Sequence, residues 1–187
     1  FKEAQEAAQL ARDLHTQKAH AATKLCNILH AYQEQPTLLD HALETLVPPV
    51  LDLMRAVATT APDDADADAD GSPQLALPPA AHVFYTLCKV RGFKTIVKFV
   101  SHEARDLEPL VRLLAAYPPD HPEWHVAYAL MVWLSMVVMV PFDLSIIDSA
   151  LPAGATTSAA GEPAPLVRSI EELGRAQPSC AGPSPGA

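Results

Sequence analysis

Glycine is nearly absent from the first 150 residues. Of 7 glycines only Gly71 and Gly92 lie there, while Gly154, Gly161, Gly174, Gly182 and Gly186 crowd the end. No GxxxxGK[ST] or GxGxxG run occurs, so no backbone loop is available to cradle a phosphate. Cysteine is equally scarce: Cys26, Cys88 and Cys180 are an odd number at spacings that fit no disulfide framework, and no signal peptide precedes them. That usage points to a reducing, cytoplasmic setting. Positive charge is in deficit, with 13 Lys and Arg against 22 Asp and Glu and a net charge of -9. A nucleic-acid binder needs cations to neutralise phosphates, so the balance argues against that class. Five of the negatives, Asp63, Asp64, Asp66, Asp68 and Asp70, sit in one run, which leaves the remainder only mildly acidic. The chain opens on Phe1 with a helical pattern already running, and is read as a segment of a longer protein.

Catalytic constellations are missing as well. There is no GxSxG elbow; Ser135 lies in an apolar helical stretch and Cys88 sits at core spacing. His121 and His125, four apart around Glu123, suggest a zinc pair, but Pro122 puts His121 at a helix start, the HExxH order is lacking and no third ligand is implied. Cys26 and His30 share that spacing and read as packing plus a satisfied imidazole. No enzyme activity, metal or cofactor is expected.

What is present is helical periodicity. The composition, 187 residues at 49% hydrophobic, suffices for one ordinary core. Residues 1–31 lack Gly and Pro and carry Ala4, Ala7, Ala11, Leu14, Ala21, Leu25, Ile28 and Leu29 at three- and four-residue steps. A second helix starts near Pro36 and runs through Leu39, Leu43, Leu46, Val47, Val50, Met54 and Val57, with a kink or restart expected near Pro48 and Pro49. Residues 59–79 are acidic, Pro-containing and almost devoid of large apolar side chains, and are expected to be disordered. Helical spacing returns in Ala81, Phe84, Leu87 and Cys88, pauses at Gly92 as a C-cap or turn, and resumes with Phe93, Ile96, Val97 and Val100. Ser101 is the expected N-cap of a segment whose buried stripe is Leu107, Leu110, Val111 and Leu114.

The stretch Val126 to Phe142 is apolar on nearly every face. At 17 residues, with Pro141 near its end and no flanking basic anchors, it reads as a core helix rather than a membrane span. Residues 150–163 form a second flexible Pro/Gly-rich loop, 165–173 a short amphipathic helix, and 175–187 a disordered tail. The expected fold class is therefore all-α: a HEAT- or armadillo-like helical-repeat solenoid segment over 1–174, interrupted by disordered loops, with a closed bundle as the alternative.

One electrostatic feature stands apart. Lys89, Arg91, Lys94 and Lys98 fall within ten residues that contain no Asp or Glu. They are either solvated helix faces or a docking point for an acidic partner. Trp124, Tyr128 and Trp133 are read as core aromatics rather than hot spots.

The run Lys89 to Leu114, KVRGFKTIVKFVSHEARDLEPLVRLL, followed by Trp124, Tyr128, WLS at 133–135 and PFDLS at 141–145, resembles the tubulin-folding cofactor D (tubulin-specific chaperone D) family in motif order and approximate spacing. Weaker similarity extends through YQEQPTLLD at 32–40 and PLVRSIEELG at 165–174, so most of residues 24–174 are covered. The Asp-Ala run at 63–70, the Pro/Gly-rich end and Pro48–Pro49 depart from the pattern. The resemblance implies a HEAT/armadillo solenoid of which this chain is the N-terminal portion. It implies a non-enzymatic chaperone that captures β-tubulin and, with other folding cofactors and α-tubulin, makes or dismantles the heterodimer. The GTP hydrolysed would be tubulin's own, with the family acting as a GTPase activator through the tubulin complex. An Arf-like small GTPase is a further implied partner, and the cytoskeleton the implied location. A helical-repeat interaction scaffold without tubulin specificity is the competing reading.

Overall fold

The computed structural model describes residues 2–60, 76–117, 121–139, 141, 147–149 and 164–176. All regular structure among them is helical. The chain divides into two compact units, residues 1–100 and 101–187.

The first unit is built around α3 (Leu77–Leu87), against which α1 (Lys2–His30) and α2 (Asp40–Thr60) both pack. Its sequence LPPAAHVFYTL explains why it takes the centre. Leu77, Ala81, Phe84 and Leu87 make one fully buried stripe, and Ala80, Val83 and Thr86 make a second beside it. A helix with partners on more than one side needs more than one apolar stripe. Thr86 is the polar member of that core. Its hydroxyl donates to the His82 carbonyl at 2.9 Å and lies 3.4 Å from Cys26 Sγ on α1, so the buried hydroxyl is satisfied. Burial pushes the Cys26 thiol up from its ordinary pKa, which keeps it a neutral packing group.

α2 offers Leu43, Val47, Met54, Val57 and Ala58 to the core. It runs unbroken through Pro48 and Pro49, so the restart expected near Pro48 does not occur. Two prolines remove ladder donors and crowd the preceding turn, at a cost of about 3 kcal/mol for an interior proline. Val47 and Met54, each 0% exposed, flank that gap and hold the helix to its neighbours across it. The expected loop over 59–79 is shortened from both ends: Thr59 and Thr60 complete α2, their hydroxyls bonded back to the last turn, and Leu77 to Pro79 already belong to α3, with its prolines in the first turn where missing donors cost nothing. Residues 61–75 lie outside the described segments, as do 150–163 and 177–187.

After α3 the chain makes a π-helical turn at Cys88–Gly92, then the single-turn helix α4 (Phe93–Ile96) and a 3₁₀ turn at Val97–Phe99. Gly92 has φ +95, the one left-handed backbone position among the described residues, and so supplies the turn expected of it.

In the second unit α5 (Leu107–Ala115) packs against both α6 (Trp124–Val138) and α7 (Pro165–Ala176). The expected stripe Leu107, Leu110, Val111 and Leu114 is buried, joined by Leu113. Ser101 is not the cap of this helix. A 3₁₀ turn, Ala104–Asp106, intervenes, and the Ser101 hydroxyl accepts the Glu103 N–H two residues on instead. α6 is a buried core helix as expected, with Val126, Ala127, Ala129, Leu130, Trp133, Leu134 and Val137 out of solvent, but it ends at Val138, short of the expected Phe142, and Met139 beyond it is 70% exposed. No described helix is long and apolar enough to cross a membrane. Of the three aromatics read as core, Trp133 is buried and Tyr128 half-buried, but Trp124 is 51% exposed, because it is the first residue of α6 and precedes the buried stripe. α7 continues through Gly174 to Ala176, past the expected start of the tail. Its first turn is capped from a distance: Asp148 is buried and its Oδ2 accepts the Leu166 N–H at 2.8 Å, while the Glu108 carboxylate of α5 accepts the Ser149 N–H. A carboxylate at a helix N-terminus meets both the orphan donors and the positive end of the dipole.

Candidate partner-binding site

The four basic residues singled out by sequence all fall on the corner that follows α3. Lys89 and Arg91 lie on the π turn, Lys94 on α4 and Lys98 on the 3₁₀ turn. Their neighbours in sequence anchor them: Cys88, Val90, Ile96 and Val100 are buried, so the alternation of helical turns throws the cations outward. Lys89, Lys94 and Lys98 are exposed.

Arg91 behaves differently. It is half-buried, and its guanidinium grips Asp40, the first residue of α2, through Nε to Oδ1 and through Nη2 to Oδ2 at 2.8 Å. Such a two-pronged contact fixes orientation as well as charge. It ties the π turn to the 3₁₀ turn Pro36–Leu39 and the start of α2, segments that are packed side by side. The hydrogen bond from Arg91 holds the Asp40 carboxyl below the usual carboxylate range against the opposing pull of desolvation, and the charges of Arg91, His41 and Lys98 add to it. No spacing rule points to Asp40, which is 51 residues from Arg91.

The corner also carries apolar surface. Phe93 is 51% exposed and Leu38 57%, although the helical pattern placed Phe93 with the core residues Ile96 and Val100. Phe93 directly follows the break at Gly92, and α4 is too short to have more than one buried position, taken by Ile96.

The histidine pairs offer no alternative centre. His121 Nδ1 accepts the Glu123 N–H at 3.1 Å and its ring meets Tyr117 edge-on at 4.9 Å, while His125 Nε2 pairs with the Glu123 carboxylate at 2.9 Å. Glu123 thus engages both histidines of that spacing. Among the described residues no three metal-ligating side chains converge.

A family model described as tubulin-specific chaperone D-like, ARM repeat, matches residues 29–184, which include the whole basic corner. The chain belongs to the tubulin-specific chaperone D-like family. It is accordingly an all-α, armadillo-type helical-repeat segment. It is 26% identical over 197 residues to a tubulin-specific chaperone D of Dictyostelium discoideum, covering 68% of this chain and 13% of that protein. It is also 26% identical over 137 residues to a tubulin-folding cofactor D of Schizosaccharomyces pombe, covering 71% of this chain and 11% of that protein. The chain therefore spans only a small part of the length of these relatives. No solved structure matches it.

Proposed function

We propose that this chain is part of a cytoplasmic, cytoskeleton-associated tubulin chaperone that binds β-tubulin without itself being an enzyme. In this reading it takes part in assembly and disassembly of the α/β-tubulin heterodimer with α-tubulin and other folding cofactors. Any stimulation of GTP hydrolysis acts through the tubulin complex, and an Arf-like small GTPase is a further partner. The observation that carries the reading is the family match over residues 29–184, supported by the names of the two relatives. The corner at 88–99 is its proposed contact with an acidic partner surface.

Within that corner the four cations divide the work. Lys89, Lys94 and Lys98 point their charges at solvent, and Arg91 spends its charge on Asp40 and serves to hold the turn in place. Because the chain as a whole carries -9, it exerts no long-range attraction on an acidic partner. Help from the lysines is confined to about one Debye length, ~8 Å at physiological salt. Such local steering acts on association more than on dissociation. Reversing Lys89, Lys94 and Lys98 to Glu in the full-length chain, with Arg91 left intact, should slow β-tubulin association by at least ~10-fold at low salt and by less at high salt, with an unchanged helical signal. A folded triple variant that associates as fast as the parent at both salt concentrations would show these lysines to be merely solvated.

A further inference from the structure

We infer that the 88–99 corner is a mixed docking surface, with Phe93 as its apolar anchor and Lys89, Lys94 and Lys98 on the same run of turns, for an acidic peptide segment that carries an apolar side chain among its carboxylates. The inference rests on the acidic-partner reading above and deepens it. Phe93, 51% exposed, directly follows the π turn, and Leu38, 57% exposed, lies on the 3₁₀ turn that packs against that same π turn. Aromatic and aliphatic anchors occupy the centres of protein interfaces while lysines are displaced to the rim. Here three exposed lysines, Lys89, Lys94 and Lys98, lie within five residues of an exposed Phe along the chain.

The charges on this corner favour the same occupant. Asp40 would repel a carboxylate, but Arg91 holds it in a two-pronged pair and cancels it. Residues 88–99 themselves contain no Asp or Glu, so the turns that present Phe93 carry only basic side-chain charge of their own. A flat anionic membrane is disfavoured, because it would also meet the rest of this 187-residue segment, which carries -9, rather than the corner alone. A narrow acidic segment meets only the local field. Gly92 at φ +95 sets the direction of the turn that presents Phe93, and nothing lies within 4 Å of where its Cβ would be, so conformation rather than crowding requires glycine there. Single π-helical turns recur where a helix presents residues for function, and this one carries Lys89 and Arg91.

The test uses the full-length chain and fluorescein-labelled 12-residue peptides of alternating Glu and Ser, with or without a central Leu, read by anisotropy. The parent should bind the Leu-containing peptide at least ~10-fold more tightly than the peptide lacking it. Phe93→Ala should erase that preference, Phe93→Leu should restore most of it, and Lys89→Gln with Lys94→Gln and Lys98→Gln should weaken both peptides and flatten their salt dependence. Absence of peptide binding, or a preference unchanged by Phe93→Ala, overturns the inference. So does a fall of several degrees in the melting temperature of Phe93→Ala, which would mean that another segment of the protein covers this face, or tighter binding to phosphatidylserine vesicles than to either peptide. β-Tubulin association, measured on the same variants, separates the two proposals. Peptide discrimination with tubulin association untouched sustains the docking surface and removes tubulin from it, whereas tubulin association sensitive to the lysines but not to Phe93 sustains the earlier reading and overturns this one.

Discussion

Leu130→Ala probes the claim that α6 is a buried core helix. Leu130 is 0% exposed and sits in the middle of the buried stripe Val126, Ala127, Leu130, Trp133, Leu134 and Val137. The substitution removes three carbons, which at ~0.8 kcal/mol per buried methylene is about 2.4 kcal/mol of transfer free energy. A residual cavity of roughly 50 Å³ at ~24 cal/mol per Å³ adds about 1.2 kcal/mol, for a total near 3.6. With a urea m-value of about 2 kcal/mol per molar the midpoint should fall by roughly 1.8 M. Fluorescence reads this locally, because both tryptophans of the chain, Trp124 and Trp133, lie on α6. Trp133, 2% exposed, is the reporter that shifts to the red on unfolding, and a Trp124→Phe background isolates it. Ser135→Ala, on the exposed side of the same helix, should change stability by less than ~0.5 kcal/mol. A midpoint shift below roughly 0.5 M for Leu130→Ala at unchanged m would contradict a buried Leu130 and refute the reasoning.

Asp148→Ala should cost about 1 to 2 kcal/mol, because it strips the cap from the Leu166 N–H, and amide exchange should speed up first in the opening turn of α7. Gly92→Ala should cost about 1 to 3 kcal/mol from backbone strain at φ +95, visible as a lowered melting temperature even though the added methyl group meets no neighbour. Acidification should loosen the 88–92 turn. Because the folded Asp40 carboxyl titrates below its unfolded value, the Arg91 pair contributes fully above the unfolded pKa, about 3.9, and its contribution disappears as pH falls through the folded one. Proton-exchange rates in the turn, followed from pH 7 downward and corrected for the intrinsic pH dependence of exchange, should therefore stay flat until below about pH 4 in the parent, and Asp40→Asn should show the loosened turn already at pH 7.

The helices were legible because their apolar residues recur at three and four, and that signal is strongest where burial is one-sided, as in Leu107, Leu110, Val111 and Leu114. Local rules misled where tertiary packing overrode them. Proline chemistry argued for a kink or a restart near Pro48, and the restart does not occur: the fully buried Val47 and Met54 on either side carry one helix through. Trp124 and Phe93 fit helical patterns, but one is the first residue of its helix and the other follows a glycine turn, so neither is covered. The four cations of the candidate site were visible as a run without acids. That Arg91 differs from the three lysines was not visible, since its partner Asp40 is distant in sequence. The same holds for Asp148, which reaches the first turn of α7 across 18 residues. Pairings made only in the folded chain leave no periodic trace.

The most direct measurement is co-purification of β-tubulin with the full-length chain, quantified for the parent and for Lys89→Glu with Lys94→Glu and Lys98→Glu under otherwise identical conditions. β-Tubulin should be recovered with the parent and fall severalfold with the folded triple variant. Recovery of no β-tubulin with a folded parent would contradict the proposed function.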